Sequence, residues 1–467
     1  MDRIRRPHEL QYSEVIVTVK MVSGRARQYI YSIICQLSTI VVSAAYSWLE
    51  PITIRLTEDP ELNFTSEEVS WLVTIVDICA IVSSFLSGHL TDRIGRKYVI
   101  MSIGPLCLAG WIIVLCYKSM ISLIMVRILH GLAVGVALPI TPIYAAEIAE
   151  PKLRGTLTGI SQFFWYLGTI YAFSIGPFLS YDMFAWACLP LPIILTIAWI
   201  FVPETPYYLL MTKRDKEAKD VLKYFRNGEI GEEFHDMQKA VSEQMSTKGD
   251  WKALFCDKVE RKAFIIVQVV SMAKCLTGMT VILNYASEIF SKSGSFLSAE
   301  KMSILLAFFL AVIAVFAAFM SDWIGRKPLL LVSCFGCFVA HFLIGGYYYI
   351  HEKTTVDASN YLWSLYIGLA AYCIFSGVGL GPLLQTLQAE MFGANTRGIA
   401  CGITQGFQGV FSIIAIKVYN PVYQHFGVYL NFWFYCIVAL VCGIILSPLM
   451  YETAGKTIGQ MEEKEHA

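Results

Sequence analysis

The chain is expected to fold as an all-α membrane protein of about twelve transmembrane helices, arranged as two parallel six-helix repeats. Three observations carry that expectation: an apolar composition, its segmentation into runs of about twenty residues, and a charged motif that occurs twice. Of 467 residues, 56% are hydrophobic and 15% charged, with a mean hydropathy of +0.57. A soluble chain carries about 25% charged residues. The apolar runs fall at 29–49, 70–90, 98–117, 121–144, 156–179, 184–202, 263–290, 301–320, 328–350, 361–391, 398–419 and 427–449. Each is long enough to cross a hydrocarbon core about 30 Å thick. Backbone N–H and C=O groups find no partner in lipid, so a spanning segment is a helix or part of a closed barrel. The runs lack the alternation of a barrel strand, which leaves the helix.

The elements follow in order. The leading segment, 1–28, has no apolar run at the distance a cleavable signal requires, so the first span is expected to serve as the insertion signal. Arg3, Arg5, Arg6, Arg25 and Arg27 precede that span; Arg93, Arg96 and Lys97 follow the second, and Lys152 and Arg154 the fourth. The segment after the sixth carries Lys213, Arg214, Lys216, Lys219, Lys223 and Arg226, whereas the stretch from Glu50 to Ser70 holds Glu58, Asp59, Glu61, Glu67 and Glu68. Lys and Arg accumulate on cytoplasmic loops, so both termini and the middle segment are expected inside. Asn63-Phe64-Thr65 then lies outside, where it reads as a glycosylation sequon at Asn63. Residues 203–262 link a bundle at 29–202 to one at 263–450, and 451–467 form the tail. Within the linker, Asp215 with Lys219 and Lys213 with Glu217 stand at helical spacing, which predicts surface helices.

Other classes of function find little support. Net charge is zero, which gives no reason to expect nucleic acid as a partner. Most cysteines, among them Cys35, Cys79, Cys107, Cys188, Cys275, Cys373 and Cys442, lie in apolar runs and behave as small hydrophobes. Cys334 and Cys337 form a CxxC with no second ligand pair, which reads as packing. No nucleophile–base constellation or metal motif stands out, so neither an enzyme nor a cofactor is expected.

The repeat is explicit. GHLTDRIGRK at 88–97 returns as AFMSDWIGRK at 318–327; Glu147 with Arg154 returns as Glu390 with Arg397; Glu204-Thr205 returns as Glu452-Thr453. The separations are 230, 243 and 248 residues, in the same order. Such a parallel duplication relates its halves by an axis along the membrane normal, and bundles of that kind carry solutes by rocking one half against the other. Asp92, Arg96, Glu147, Arg154, Glu204, Asp322, Arg326, Glu390, Arg397 and Glu452 all fall at cytoplasmic helix ends. Opposite charges placed there are expected to hold helix ends together and to bias the inward- against the outward-facing state. Gly131 and Gly135 permit close helix contact. Arg127 lies toward the outer leaflet, either snorkelling or paired within the bundle.

Taken together, Asp92-Arg93-x-Gly95-Arg96-Lys97, then Arg127, Gly131, Gly135, Pro142, Tyr144, Glu147, Arg154 and Gly155, then Pro203-Glu204-Thr205-Pro206, and finally Glu452-Thr453-x-Gly455 resemble the sugar porter family of the major facilitator superfamily. The chain departs at Tyr207, where the family has arginine, and at Tyr451 and Ala454 in the closing motif. The resemblance covers nearly the whole sequence. It implies the major facilitator fold and facilitative movement of a hexose or trehalose across the plasma membrane.

The resemblance also implies a substrate site of amides and an aromatic ring near mid-membrane. Gln162 keeps one family glutamine. The family's Q-Q-x-x-G-x-N is here Lys274, Cys275, Leu276, Thr277, Gly278, Met279, Thr280; its tyrosine pair is Asn284-Tyr285, its eighth-span asparagine falls at Leu310, and its tenth-span tryptophan is Gln385. The altered site stays polar. Lys274, Thr277, Thr280, Asn284 and Glu288 share one stripe of the seventh span; Gln385 and Gln388 lie on the tenth, and Thr404, Gln405 and Gln408 on the eleventh. Gln162, Lys274, Thr277, Thr280, Asn284, Gln385 and Gln408 are therefore the expected binding residues. Lys274 is expected to meet Asp77, an anionic substrate, or a hydrogen-bond acceptor. The first span lacks the acidic residue of proton symporters, which favours facilitated diffusion unless Asp77 substitutes for it. Two alternatives stay open: a transporter of another small polar or anionic solute, and a non-transporting nutrient sensor.

Overall fold

The computed structural model describes residues 23–58, 64–150, 153–227, 230–246, 251–291, 297–392 and 394–452. The first six spans are Gly24–Ser47; Ser66–Ile94; Arg96–Met101 with Ile103–Cys116; Met120–Ile148; Arg154–Gly159 with Ser161–Ile175; and Tyr181–Cys188 with Pro190–Ile200. The second six are Lys258–Leu276 with Met279–Asn284 and Ala286–Ser291; Ala299–Ile324; Arg326–Lys353; Leu362–Phe375 with Leu383–Glu390; Ala394–Phe426; and Val428–Leu449. Eleven of these are long and apolar enough to cross a bilayer as they stand. The fifth, expected at 156–179, is divided at Ile160 into two shorter helices.

Several helices overrun their apolar stretches, because a capped end carries the helix past the hydrocarbon edge. Ser23 Oγ accepts the Ala26 N–H at 3.3 Å, so the first helix starts at Gly24 rather than 29. Asp257 Oδ1 accepts from Val259 N at 2.7 Å and Glu260 N at 3.2 Å, and starts the seventh at Lys258, inside the stretch expected to be linker. Thr65 and Glu68 form a reciprocal capping box on the second.

The duplication is visible in backbone and core alike. The second span ends at Gly95 (φ 98°, ψ 160°) and the eighth at Gly325 (φ 95°, ψ 158°), so the two copies of the motif make the same turn. A Cβ on Gly95 would collide with the Glu204 carboxylate, and one on Gly325 with that of Glu452, which explains the glycine in each copy. In the first half Trp111 packs on His130 (ring centroids 5.1 Å apart) and Phe184 (6.5 Å). In the second, His341 packs on Tyr372 (4.8 Å) and Tyr435 (5.7 Å). These are the same spans in each half, the third, fourth and sixth against the ninth, tenth and twelfth.

Within the first half the second span lies along the fourth, and within the second half the ninth lies along the twelfth. Gly131 and Gly135 let the second and fourth approach until a Cβ would strike Val76 and Ala80. The halves meet along two seams, second span to eleventh and fifth to eighth. Linker helices Pro206–Met211, Asp215–Arg226 and Gly231–Ser246 pack on one another, and Asp215–Arg226 docks under the first half. Gln28 and Arg27 of the first span donate to the Phe225 and Tyr224 carbonyls at 2.9 and 2.5 Å. Arg226 donates to the Ile148 carbonyl at 2.9 Å and pairs with Glu233 at 2.8 Å. The surface pair on this helix is Arg214 with Glu217 rather than either expected pair, because Arg214 stands just before the first turn with both carboxylate oxygens in reach. All thirteen cysteines are free thiols.

Candidate functional site

Three spans break where the sequence places candidate binding residues. The fifth breaks at Ile160, just ahead of Gln162. The seventh breaks at Thr277-Gly278, where Gly278 takes φ 87° against the face of Tyr435. The tenth passes through a π-helical turn at Ser376–Leu380 and then Pro382, just ahead of Gln385. Broken helices free backbone groups that only a protein-lined cavity tolerates within a membrane, and transporters place their sites at such points.

The candidates do not all keep their polar atoms available. Thr277 is buried, and its hydroxyl donates to its own helix at Ala273 O, 2.7 Å away. Asn284 is buried and donates to the Thr280 carbonyl at 2.8 Å and to the Tyr46 hydroxyl of the opposite half at 3.3 Å. Gln408 and Lys274 are brought near one another through Cys275, whose thiol donates to the Gln408 carbonyl at 3.5 Å. Gln162 faces the Tyr166 hydroxyl, while Gln385 and Thr280 are half-buried. No hydrogen bond joins Gln385 to another candidate among the described residues. Lys274 is half-buried and makes no ion pair there. An unpaired charge at the centre of a span costs about 3 kcal/mol on insertion scales.

Asp77 does not pair with Lys274. It is 9% exposed and accepts from Ser412 Oγ at 2.7 Å and from Tyr46 Oη at 3.5 Å. It also lies within electrostatic range of Arg127. Arg127 is fully buried within the bundle rather than snorkelling. It donates to the carbonyls of Leu72 (2.9 Å), Ala45 (3.2 Å) and Tyr46 (3.1 Å), tying the first, second and fourth spans together at the end away from the charged motifs.

Contacts between the halves crowd one end of the molecule, the end opposite the charged motifs. Glu50, 3% exposed, accepts from Ser287 N at 2.6 Å and Ser303 Oγ at 3.3 Å. Lys417 donates to Ser70 Oγ at 3.3 Å and stands 3.7 Å from the centroid of the Trp71 ring. Asp77–Ser412 and Tyr46–Asn284 complete the closure. Along the second–eleventh seam the contacts at the glycines then thin toward the motif end. A Cβ on Gly409 would strike Ile81, one on Gly406 would come to 3.1 Å of Phe85, and one on Gly402 only to 3.8 Å. Sequence reasoning missed Glu50, Tyr46, Ser287, Ser303, Ser412 and Lys417; the one available signal was a glutamate set just before Pro51 at a span end.

At the motif end each half carries a cluster of charges among the described residues. Arg96 meets Glu147 at 3.2 Å and Asp92 at 3.4 Å. Glu204 accepts the N–H of Lys97 at 3.1 Å and of Thr205 at 2.9 Å. Burial holds the Glu204 carboxyl above its usual range, the backbone donors offsetting this only in part. Arg326 meets Glu390 at 2.8 Å, and Glu452 accepts the N–H of Arg326 at 2.8 Å and of Lys327 at 3.2 Å. Among the described residues, these pairs form one cluster in each bundle. The side chains of Arg154, Asp322 and Arg397, and all of Asn63, lie outside the described residues.

Residues 28–464 match the family described as "Sugar (and other) transporter". The chain is 25% identical to the facilitated trehalose transporter Tret1 of Apis mellifera ligustica over 443 residues, covering 94% of this chain and 88% of that one. To Tret1 of Bombyx mori it is 25% identical over 425 residues, covering 90% and 83%. The fold matches that of the MFS proton:xylose symporter XylE bound to 6-bromo-6-deoxy-D-glucose, with a TM-score of 0.78, 20% identity and coverage of 94% and 98%. With two six-span bundles, the doubled motif and a profile match over nearly its whole length, this chain belongs to the sugar (and other) transporter family.

Proposed function

We propose that the protein is a facilitative sugar transporter of the plasma membrane, moving a hexose or trehalose by alternating access with both termini in the cytoplasm. The observation that carries the reading is the closure of the two halves at the end away from the motifs, combined with the thinning of their contacts along the second–eleventh seam. With the Lys- and Arg-rich loops inside, this is an inward-facing arrangement, and Glu50, Asp77 and Lys417 form the outer closure. Polar residues at the breaks of the fifth, seventh and tenth spans then line the path: Gln162, Lys274, Thr280, Gln385 and Gln408, with Asn284 beneath the closure. The two motif-end clusters keep each bundle rigid as it rocks. In this topology the Asn63 sequon belongs to an extracellular loop, which makes it a glycosylation site. Trehalose transport by the insect relatives supports the substrate class.

The test is counterflow in proteoliposomes containing the purified chain, with labelled glucose and trehalose, with and without a proton gradient. Saturable sugar flux that equilibrates and ignores the gradient is the expected result. Gradient-driven accumulation above equilibrium would replace the facilitative reading with a proton-coupled one. Saturable binding with no flux would make the protein a sensor.

A further inference from the structure

We infer that the site on the seventh span takes a sugar or polyol bearing a carboxylate, and that Lys274 selects it; the inference rests on the transport reading above. Four charged side chains sit in the interior of the spans, away from their ends: Asp77, Arg127, Lys274 and Lys417. The protein answers three of them. Arg127 donates to three main-chain carbonyls and lies in the field of Asp77. Asp77 receives the hydroxyls of Ser412 and Tyr46. Lys417 stands over the Trp71 ring, bonds Ser70 and lies in the field of Glu67. Lys274 has neither an ion pair nor a hydrogen bond among the described residues.

The charges of Asp77 and Arg127 offset one another, which leaves the ammonium of Lys274 without a countercharge among the described residues of the span interiors. Its place is not arbitrary. It stands in the last turn of a 19-residue half-helix, where terminal carbonyls favour a cation, and one turn before the break at Gly278. It is half-buried, and an ionisable group at such a depth belongs to the bundle interior or a wet cavity. Amides with unengaged groups stand on the elements packed against this helix. Gln388 on the tenth span has a buried Nε2 without a partner, and Gln408 on the eleventh lies beside Cys275. A carboxylate on the cargo supplies the missing charge in a charge-assisted hydrogen bond, and the amides receive its hydroxyls. Asp77 cannot supply that charge without giving up the outer closure.

Labelled gluconate and glucose uptake would be compared in proteoliposomes of the full chain, at membrane potentials set with potassium and valinomycin. Wild type is expected to take up gluconate, faster with the interior positive, because uniport of the anion carries negative charge inward. Lys274→Gln should lower gluconate uptake about tenfold or more while raising the glucose-to-gluconate ratio; Lys274→Arg should retain gluconate uptake. Glucose uptake by wild type with neither transport of gluconate nor inhibition by it overturns this inference and leaves the transport reading standing. Equal gluconate uptake by wild type and Lys274→Gln overturns it as well. A folded wild type that moves neither solute, nor trehalose, overturns the transport reading and this inference with it. Should Lys274→Gln fail to fold, the voltage response of wild type and the gluconate flux of Lys274→Arg decide.

Discussion

Glu204 and Glu452 each hold a glycine turn by accepting main-chain N–H groups, and their neighbours Glu147 and Glu390 pair with an arginine. Glu204 lies between the sixth span and the linker, largely out of water, and burial lifts its pKa above the unfolded value of about 4.3. The sign of the consequence follows from linkage. An acid that binds its proton more tightly when folded contributes stability that is complete below the unfolded pKa and is lost as pH rises through the folded one. The thermal stability of the parent relative to Glu204→Gln, measured in detergent, should therefore fall as pH rises above about 4.3. A gap between the two that is flat with pH would show that the carboxyl stays at its ordinary pKa. Substitution of Gly95 by alanine should be more damaging than Glu204→Gln, since the new Cβ strikes the carboxylate and φ is 98°.

At the scale of elements, the breaks in the fifth, seventh and tenth spans carry the proposed site, and the seventh is the most exacting. Gly278 combines φ 87° with a Tyr435 ring 2.6 Å from where a Cβ would stand. A left-handed L-residue costs about 1–2 kcal/mol, and overpacking adds about 1–3 kcal/mol. Gly278→Ala should therefore lower the melting temperature clearly, whereas Gly381→Ala, with no neighbour inside 3.4 Å and φ −66°, should not. Adding Tyr435→Ala to Gly278→Ala should relieve the clash but not the backbone strain. Equal melting temperatures for Gly278→Ala and Gly381→Ala would mean that the turn at the break relaxes freely. The number, order and approximate ends of the spans were legible from hydropathy, because lipid imposes length and composition on every helix alike. The breaks at Ile160 and at 376–382 were not, because they answer to packing between spans. Thr277 likewise reads as a cavity residue on a helical wheel, yet its hydroxyl serves its own helix.

The whole molecule is two rigid bundles that differ in how they meet at their two ends. The motif repeat revealed the bundles, because a duplicated sequence keeps its charged turns at the same helix ends. It could not reveal the closure at the opposite end, which is built from unrepeated residues of unlike kinds: Glu50, Tyr46 and Asp77 from one half, Ser287, Ser303, Ser412 and Lys417 from the other. Their pairings span more than two hundred residues of sequence. Closure by hydrogen bonds rather than by a large apolar interface suits a contact that must open in every cycle, since each net bond contributes only about 1 kcal/mol. Removing three of them should move the balance between states by about a hundredfold without unfolding either bundle. Spin labels at Phe178→Cys and Val356→Cys, exposed positions beyond the fifth and ninth spans, report the separation of the halves at this end. In a Glu50→Ala, Ser412→Ala background the distance distribution should gain a longer population absent from the parent. The helical content and melting of each bundle should hardly change, because Arg127 and the motif-end clusters remain in place. An unchanged distance distribution would mean that Glu50 and Ser412 follow the closure rather than hold it, and the packing of Ile81 against Gly409 would then be the contact to loosen next.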